Sequence, residues 1–305
     1  MNNAIIKIDN MTKKFDDNKG VFNMSLEISK GEMVGFVGTN GSGKSTTIRC
    51  VVGFIKSNSG NCYVLGKESW KHSASFFKQI GYVPGEISFP DLQTGTLFLK
   101  SQAEFLKIHD LDYANKLIKI LQLDPRANLK RMSKGMKQKT ALVAALMHNP
   151  DILILDEPTT GLDPLMRIKF MEIVREEHLK GKTILMSSQS FEELEESCDR
   201  VVFLLDGKIV SIANMNEIRN RNNQEFKIEF QTEKDYIHFK SSTYSIIRDQ
   251  PKYNQITVSI VKGGINNLLI DLKKYNIKFI TEIKYTLETH FKRIIRNMEV
   301  DDNVQ

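Results

Sequence analysis

Residues 33–47 read MVGFVGTNGSGKSTT, and this stretch decides the fold. Its first five residues are apolar or glycine, as in a buried central strand of a parallel sheet. Residues 38–45 match the pattern G-x-x-x-x-G-K-[ST], in which glycines let backbone N–H groups point at phosphate oxygens. The residues after the loop continue in a helical pattern, and a helix N-terminus adds positive potential there. The stretch therefore predicts a strand, a phosphate-binding loop and a helix in succession.

Several atoms of this loop have foreseeable tasks in a nucleotide site. The Lys44 ammonium is expected to bridge the β- and γ-phosphates of ATP, and the Ser45 hydroxyl is expected to bind Mg²⁺. The residues expected to bind nucleotide are Gly38, Thr39, Asn40, Gly41, Ser42, Gly43, Lys44, Ser45 and Thr46. An idle glycine-rich turn is the alternative, but the position between a strand and a helix favours a nucleotide site. The expected cofactors are therefore ATP and Mg²⁺.

A second apolar run, residues 151–155, ends in Asp156-Glu157-Pro158. In phosphate-loop enzymes one acid at such a strand end holds the Mg²⁺ shell, and a further group orients or polarises the attacking water. Alternation along an extended strand would turn the two adjacent side chains apart, but the strand end before Pro158 lets the second turn toward the γ-phosphate. We therefore assign the metal role to Asp156 and the general-base role to Glu157. For such a triplet on its own, a plain surface exit from the strand is the alternative.

Apolar runs alternate with helical patterns through the first two thirds of the chain. Further strands are predicted at 5–8, 24–28, 79–83 and 183–186, with a hairpin over 201–210 around an Asp-Gly turn. Apolar residues from 95 to 123 have helical spacing. Strands that alternate with helices predict an α/β fold with a largely parallel, wound sheet.

The composition changes near residue 212, where a polar segment begins. After it, strands are predicted at 226–230, 244–247 and 255–260, and helices at 265–275 and 287–297. We therefore expect two domains. Residues 1–212 bind the nucleotide and include a helical part at about 87–148. Residues 213–305 form a small α+β domain of a size that can fold alone.

The composition also narrows the possible functions. No apolar run approaches the roughly 20 residues that a membrane-spanning helix needs, and residues 1–7 lack the pattern of a secretion signal. Cys50, Cys62 and Cys198 are widely spaced, which favours buried thiols in a reducing cytoplasm over a disulfide framework or a metal site. The net charge of +6 comes from dispersed basic residues, so no nucleic-acid partner is expected.

Residues 131–139, RMSKGMKQK, lie between the phosphate loop and the acidic strand end. In this order the motifs resemble the ATP-binding cassette (ABC) ATPases over residues 4 to about 210. The S-K-G-M-K-Q version resembles the branch that serves ABC-2 type exporters. Ser133 and Gly135 match the family signature L-S-G-G-Q, whereas Met132, Lys134 and Met136 depart from it. The resemblance implies a RecA-like core, an N-terminal antiparallel β subdomain and a helical subdomain.

The resemblance also implies roles for residues outside the phosphate loop. Ser133 and Gly135 would contact the γ-phosphate of an ATP held by a second subunit; without the family, Ser133 is only a helix N-cap. Phe15 would stack on adenine, although a lone Phe also fits a hydrophobic core. Asp163 would be the key acid of a loop that crosses between subunits, and a plain polar turn is its alternative.

Two positions depart from the family in ways that bear on catalysis. Gly85 stands where the family has a Gln after the strand at 79–83, and Glu86, one residue later, is a doubtful substitute because of the shift. Gln189 stands where the family has a switch His; its amide forms hydrogen bonds but carries no positive charge. With Lys44, Gln189 and Glu157 as the expected catalytic residues, we expect hydrolysis to be slow or altered but present.

The expected machine has two cassettes that close head to tail around two ATP molecules, as a homodimer or as a heterodimer with a paralogue. It would drive integral-membrane permease subunits on separate chains, from the cytoplasmic face of the cell membrane. The family docks the permease on the segment that corresponds to residues 87–123, and ordinary core packing is the alternative for any single residue there. The branch implies export of an antibiotic or amphipathic peptide. The alternative is an ATP-binding regulator that hydrolyses little and signals through its C-terminal domain. Translation or DNA-repair cassettes are disfavoured, because neither a second cassette nor a coiled-coil insertion is evident.

Overall fold

In the computed structural model, which describes residues 4–16 and 19–302, the chain divides into two units, Met1–Met215 and Asn216–Gln305. The strands of the first unit are β1 (Ala4–Asp16), β2 (Lys19–Ser29), β3 (Met33–Val37), β4 (Ser59–Val64), β5 (Lys67–Glu68), β6 (Ile80–Val83), β7 (Ile152–Asp156), β8 (Thr183–Ser187), β9 (Arg200–Leu205) and β10 (Lys208–Asn214). Its helices are α1 (Lys44–Val51), α2 (Ser69–Phe76), α3 (Gly95–Leu106), α4 (Asp112–Ile120), α5 (Lys134–Leu146), α6 (Pro164–Leu179) and α7 (Phe191–Ser197). A short helix, α8 (Met215–Arg219), begins at the last residue of this unit.

A six-stranded sheet forms the centre of the first unit, in the order β10-β9-β3-β8-β7-β6. Its strands run parallel from β9 to β6, and β10 pairs antiparallel at one edge. Every residue of β3, β7 and β8 is buried, which explains why the interior of each strand is apolar or glycine. Because the carboxyl ends of parallel strands meet at one edge, the loops after β3, β7 and β8 lie side by side.

A second sheet, antiparallel with the order β2-β1-β4-β5, packs against the first. One hydrophobic core joins them: Ile6, Met11 and Val21 of the antiparallel sheet lie in the same cluster as Phe36 and Ile154 of the parallel sheet. The predicted strands at 5–8 and 24–28 are therefore parts of two longer strands, which pair through several register shifts. The α/β fold with an antiparallel β subdomain is confirmed.

Helices α3, α4 and α5 lie in the chain between β6 and β7 and form the helical part of this unit. Thr94 caps α3 by accepting a hydrogen bond from the Leu97 N–H at 3.3 Å. The predicted helical stretch from 95 to 123 is interrupted after Leu106, where Lys107 adopts a left-handed conformation with φ 58°. Two helices therefore form where the sequence pattern indicated one continuous helical region.

The second unit contains β11 (Asn223–Phe230), α9 (Glu233–Lys240), β12 (Ser245–Gln250), β13 (Gln255–Val261), α10 (Ile265–Leu272), β14 (Ile277–Ile283) and α11 (Leu287–Asp302). Its antiparallel sheet has the order β12-β13-β11-β14, so that β11 to β14 make the β-α-β-β-α-β arrangement known as the split βαβ, or ferredoxin-like, motif. Tyr236 and Phe239 of α9 and Leu268 and Leu272 of α10 share one core with the sheet. The expected α+β character of this region is confirmed.

Within the described residues, no helix has the length and apolar character needed to cross a bilayer.

Candidate functional site

The phosphate loop follows β3 and ends at the first residue of α1. Gly43 occupies the N-cap position of α1 with φ 100°, a conformation that L side chains rarely adopt. A Cβ there would also lie 2.8 Å from Cγ2 of Val21. The glycine of the sequence motif is therefore required by both the backbone conformation and the space. The positive φ of Gly43 and its lack of a side chain together let the chain turn from the strand into the helix.

Lys44 is enclosed by its own loop, with 5% of its surface exposed. Its Nζ donates to the backbone oxygens of Gly38 at 2.8 Å and Thr39 at 3.2 Å, and it lies 3.8 Å from Oε1 of Glu157. Burial lowers the pKa of the Lys44 ammonium, and the charges of Glu157 and Asp156 oppose that shift. The loop thus holds a desolvated cation beside two carboxylates.

Asp156, the last residue of β7, is fully buried. Its Oδ1 accepts hydrogen bonds from the Ser45 hydroxyl at 3.0 Å and the Ser187 hydroxyl at 2.7 Å. Its Oδ2 is buried with no hydrogen-bond partner, and a Cβ on Gly85 would lie only 2.9 Å from it. Carboxylate and hydroxyl oxygens are the ligands that Mg²⁺ takes, and this carboxylate still has free lone pairs, so the residues fit the metal.

Glu157 leaves the strand in a left-handed conformation, with φ 48°. Non-glycine residues in this region are uncommon and are enriched at functional sites. Its N–H donates to Ser187 Oγ at 2.9 Å, which fixes the turn against β8. Because of this turn, the carboxylate faces Lys44, while Asp156 faces Ser45. The two adjacent acids therefore both reach the phosphate loop, as the strand-end argument predicted.

Gln189 lies in the loop after β8 and contacts Glu157 directly. Its Nε2 is 3.0 Å from each carboxylate oxygen of Glu157. The Thr160 hydroxyl adds a third hydrogen bond to that carboxylate, at 3.3 Å. An adjoining pocket of about 390 Å³ is lined by Glu157, Thr159, Thr160, Gly161, Arg167, Ser188, Gln189, Ser190 and Glu193. Gln189, the residue expected at the switch position, is thus hydrogen-bonded to the expected base.

The signature segment lies close to the loop that follows β7. Ser133 is the N-cap of α5 and accepts the Met136 N–H at 3.2 Å, as the plain capping interpretation required. A Cβ on Gly135 would lie 2.8 Å from the backbone oxygen of Gly161. The buried Gln138 amide donates to the Pro158 backbone oxygen at 2.7 Å. The start of α5 is therefore fixed to the loop that carries Glu157.

Four further residues singled out from the sequence have other surroundings. Asp163 is the N-cap of α6 and accepts the Met166 N–H at 3.0 Å, with Pro164 in the first turn. Phe15 is 61% exposed, and the Lys13 ammonium lies 5.5 Å from its ring centroid. The alternative of a core role for Phe15 is therefore wrong. Glu86 is exposed, whereas Gly85 lies against Asp156.

Sequence reasoning missed three side chains of this region. Ser187 binds both Asp156 and Glu157, Gln138 joins α5 to the Pro158 loop, and Glu193 contacts the loops on both sides of the pocket. The available signal for Ser187 was its position as the first polar residue after the apolar stretch of β8.

Comparison with known proteins adds the family. The ABC transporter family profile matches residues 21–160. The chain is 29% identical to the bacitracin transport ATP-binding protein BcrA of Bacillus licheniformis, over 96% of this chain and 97% of that protein. It is 33% identical to the linearmycin resistance ATP-binding protein LnrL of Bacillus subtilis, over 71% of each chain. It is 32% identical to an uncharacterized ABC transporter ATP-binding protein of Methanocaldococcus jannaschii, over 82% of this chain and 95% of that protein.

Solved structures agree with the fold. One described as the ATP-binding subunit of an ABC transporter has a TM-score of 0.63 and 26% identity, over 71% of this chain and 92% of that one. A dimeric structure of a bacterial ABC transporter cassette has a TM-score of 0.62 and 23% identity, over 69% of this chain and 98% of that one. These structures cover a part of the chain comparable in length to the first unit.

A phosphate loop, two acids at the end of a strand in the same sheet and a capped signature helix define a nucleotide-binding cassette. The chain belongs to the ABC transporter ATP-binding proteins, a family that generally hydrolyses ATP. Within it, the chain is similar to a bacitracin transport protein, a linearmycin resistance protein and a probable multidrug ABC transporter protein, all ATP-binding. It is an ATP-binding subunit of an ABC transporter.

Proposed function

We propose that this chain is the ATP-hydrolysing motor of an ABC exporter whose membrane-spanning permease is a separate chain. The observation that carries the proposal is the Glu157 carboxylate, which lies 3.8 Å from the Lys44 ammonium and is turned toward it by a left-handed backbone. A buried cation, a metal-type carboxylate and a candidate base meet there at one sheet edge. The motor works from the cytoplasmic face of the membrane.

The proposed chemistry begins with an exchange of partners at Lys44. On ATP binding its ammonium leaves the Gly38 and Thr39 oxygens and binds the β- and γ-phosphates. Ser45 and Asp156 would hold Mg²⁺, which neutralises negative charge on the phosphates when bound. The residues from Gly38 to Thr46 enclose the phosphates through backbone N–H groups and the start of α1.

Glu157 is the proposed general base, which accepts a proton from the attacking water. Its carboxylate is already ordered by the Gln189 amide and the Thr160 hydroxyl, so little reorganisation is needed when water binds. Gln189 orients this carboxylate and can hydrogen-bond the water, but it supplies no positive charge to the transition state. We therefore infer that turnover is slower than with a histidine there.

The active site is completed by a second cassette. Ser133 and Gly135 of one subunit would contact the γ-phosphate held by Lys44 of the other, and Asp163 would lie in the crossing loop. ATP that binds both halves shifts the population toward the closed pair, and hydrolysis releases it. A dimeric ABC cassette with the same fold supports this assembly. The second cassette is an identical chain or a paralogue, and Phe15, being exposed, is available to stack on adenine.

An apolar groove in the helical part supports permease docking. It lies between β6 and helices α3 and α5, and its lining includes Tyr82, Phe89, Phe98, Phe105, Ala145 and His148. Because part of this apolar lining is exposed, a cytoplasmic helix of the permease would bury it. The names of the relatives, bacitracin and linearmycin, support an antibiotic or amphipathic peptide as the exported substrate.

The test is steady-state ATP hydrolysis by the purified chain, alone and with its permease. Glu157→Gln should reduce kcat by at least ~100-fold and leave Mg-ATP binding intact, since the phosphate loop is unchanged. Gln189→His should raise kcat, because it restores a group that can carry charge. Glu196→Gln is the matched control: this exposed carboxylate pairs with Arg175 away from Glu157 and should leave kcat unchanged.

One observation favours a second candidate function, an ATP-binding regulator that signals through its C-terminal unit. Gln189 occupies both oxygens of the proposed base and brings no charge. Wild-type chain that binds Mg-ATP without turnover, even with its permease, would contradict the motor and support the regulator.

A further inference from the structure

A buried carboxylate outside the proposed catalytic set joins the two loops of the hydrolytic site. Glu193 lies in the first turn of α7 and is 8% exposed. Its Oε2 accepts the Ser188 hydroxyl at 2.7 Å and the Thr159 hydroxyl at 3.1 Å. Both donors are themselves buried, so these hydrogen bonds lie out of contact with water. Bonds from hydroxyls to an ionised acceptor are short and are roughly twice as strong as neutral ones.

The two donors stand beside the two residues that matter most for hydrolysis. Thr159 follows Glu157 by two residues in the loop after β7, and Ser188 immediately precedes Gln189 in the loop after β8. At the other end of the same loops, Gln189 donates to both oxygens of Glu157. The two loops, which are distant in sequence, are thus joined twice: by Glu193 and by the Gln189–Glu157 contact. These hydrogen bonds and the backbone between them form a closed ring.

Charge explains why a glutamate fits this place. A buried carboxylate is unfavourable unless it is hydrogen-bonded or paired. Arg167 Nε lies 3.6 Å from Oε1 of Glu193, but the Arg167 side chain is 46% exposed, so solvent weakens the ion pair. The N-terminus of α7 adds favourable potential. The two buried hydroxyls are therefore the directional contacts of this carboxylate.

We propose that Glu193 is a positioning residue for ATP hydrolysis: by holding Ser188 and Thr159 together, it keeps the Gln189 amide against the Glu157 carboxylate. The inference rests on the proposed function, in which Glu157 is the base. Glu193 contacts Ser188, Thr159 and Arg167, and it acts through the geometry of the two loops. A purely structural role at the helix N-terminus would also apply to Glu192, which occupies the same first turn but is exposed. Substitution of Glu192 therefore distinguishes the two roles.

The test measures kcat and KM for Mg-ATP on the full chain with its permease. Glu193→Ala should lower kcat by about tenfold or more and change the KM for ATP by less than about twofold, since misplaced catalytic groups affect turnover and the phosphate loop still binds. Glu193→Gln keeps one oxygen that can accept both hydroxyls and should restore most of the loss. Glu192→Gln is the matched control and should leave kcat unchanged.

A double-variant cycle shows whether Glu193 acts through Gln189. In a Gln189→Ala background, Glu193→Ala should lower kcat by less than about twofold further, because the contact it maintains is already absent. Thr159→Val and Ser188→Ala each remove one hydroxyl and should each lower kcat; they decide the question if Glu193→Ala does not fold.

Three results would overturn the proposal. The first is an unchanged kcat in Glu193→Ala, or in both hydroxyl variants if Glu193→Ala does not fold. The second is a loss of kcat from Glu193→Ala that is undiminished in the Gln189→Ala background, and the third is an equal loss of kcat in Glu192→Gln. Failure of the proposed function is distinguishable, because then wild-type chain shows no turnover or Glu157→Gln retains it.

Discussion

Buried carboxylates are treated differently in the two units of this chain. In the second unit, Glu225 is bound by Arg293 at 3.0 and 3.1 Å and by Arg221 at 3.3 Å, and Glu229 is bound by Lys278 and Gln255. In the first unit, Asp156 is fully buried, yet one of its oxygens has no partner. The Glu225 and Glu229 contacts stabilise the fold, whereas the open oxygen of Asp156, beside the phosphate loop, is available to a ligand.

Asp156→Asn should break this contrast most strongly. The amide removes the charge and the free lone pairs proposed to hold Mg²⁺, so ATP turnover should fall by at least ~100-fold. Because the open oxygen makes no bond in the fold, the free energy of unfolding should fall by less than about 1 kcal/mol or rise. Hydrolysis assays paired with urea denaturation measure both. A variant that unfolds easily but still hydrolyses ATP would show that Asp156 is a structural acid.

Arg293→Met should have the opposite balance in the second unit. The substitution removes the Arg293 guanidinium from Glu225. Of the two arginines described above, Arg221 then still binds this carboxylate. We expect a loss of about 1 kcal/mol in the free energy of unfolding, a moderate value because the Arg293 side chain is 40% exposed. Urea denaturation of the full chain, followed by a probe in the second unit, measures the loss. Lys292→Met, which affects an exposed pair with Glu288, is the control and should change little.

Glu177 extends the comparison within the first unit, because it is a buried carboxylate that lies away from the site and is bound by several donors. Burial by itself raises the pKa of its carboxyl, but hydrogen bonds from Lys180, Lys182 and Tyr113 outweigh this and hold the pKa below its ordinary value of 4.5. A depressed pKa in the folded state stabilises the fold above the unfolded pKa. This contribution is lost as the pH falls through the folded pKa.

The free energy of unfolding should therefore decrease below about pH 4.5, and Glu177→Gln should make that decrease shallower. Tyr113→Phe removes one of the three donors and should have a smaller effect in the same direction. Unfolding curves from pH 6 to pH 3 measure both slopes. Equal slopes in wild type and Glu177→Gln would show that other acids carry the pH dependence.

The sequence predicted the strands that carry the site almost to the residue. Met33–Val37, Ile152–Asp156 and Thr183–Ser187 are buried on both faces, so the interior of each strand is apolar or glycine. Ser59–Val64 and Ile277–Ile283 were not predicted. The first contains glycine and asparagine, and the second is half exposed with an irregular apolar pattern.

The residues of the site also divide into those that the sequence predicted and those that it did not. The phosphate loop and the two acids follow fixed spacings along the chain, and these could be found from local pattern. The contacts of Glu193 with Thr159 and of Ser187 with Asp156 join residues 34 and 31 positions apart. Such contacts arise only when parallel strands bring distant loops together. No local pattern specifies them.

Gly85 has a consequence for any attempt to introduce a glutamine at this position. A Cβ at that position would stand 2.9 Å from Asp156 Oδ2, so the missing side chain and the open lone pair share one small volume. Asp156 is held in place by Ser45 and Ser187 and is fully buried, so it cannot easily move aside. A glutamine transplanted there would displace the acid it is meant to assist. A side chain at position 85 therefore requires a matching change in the residues that hold Asp156.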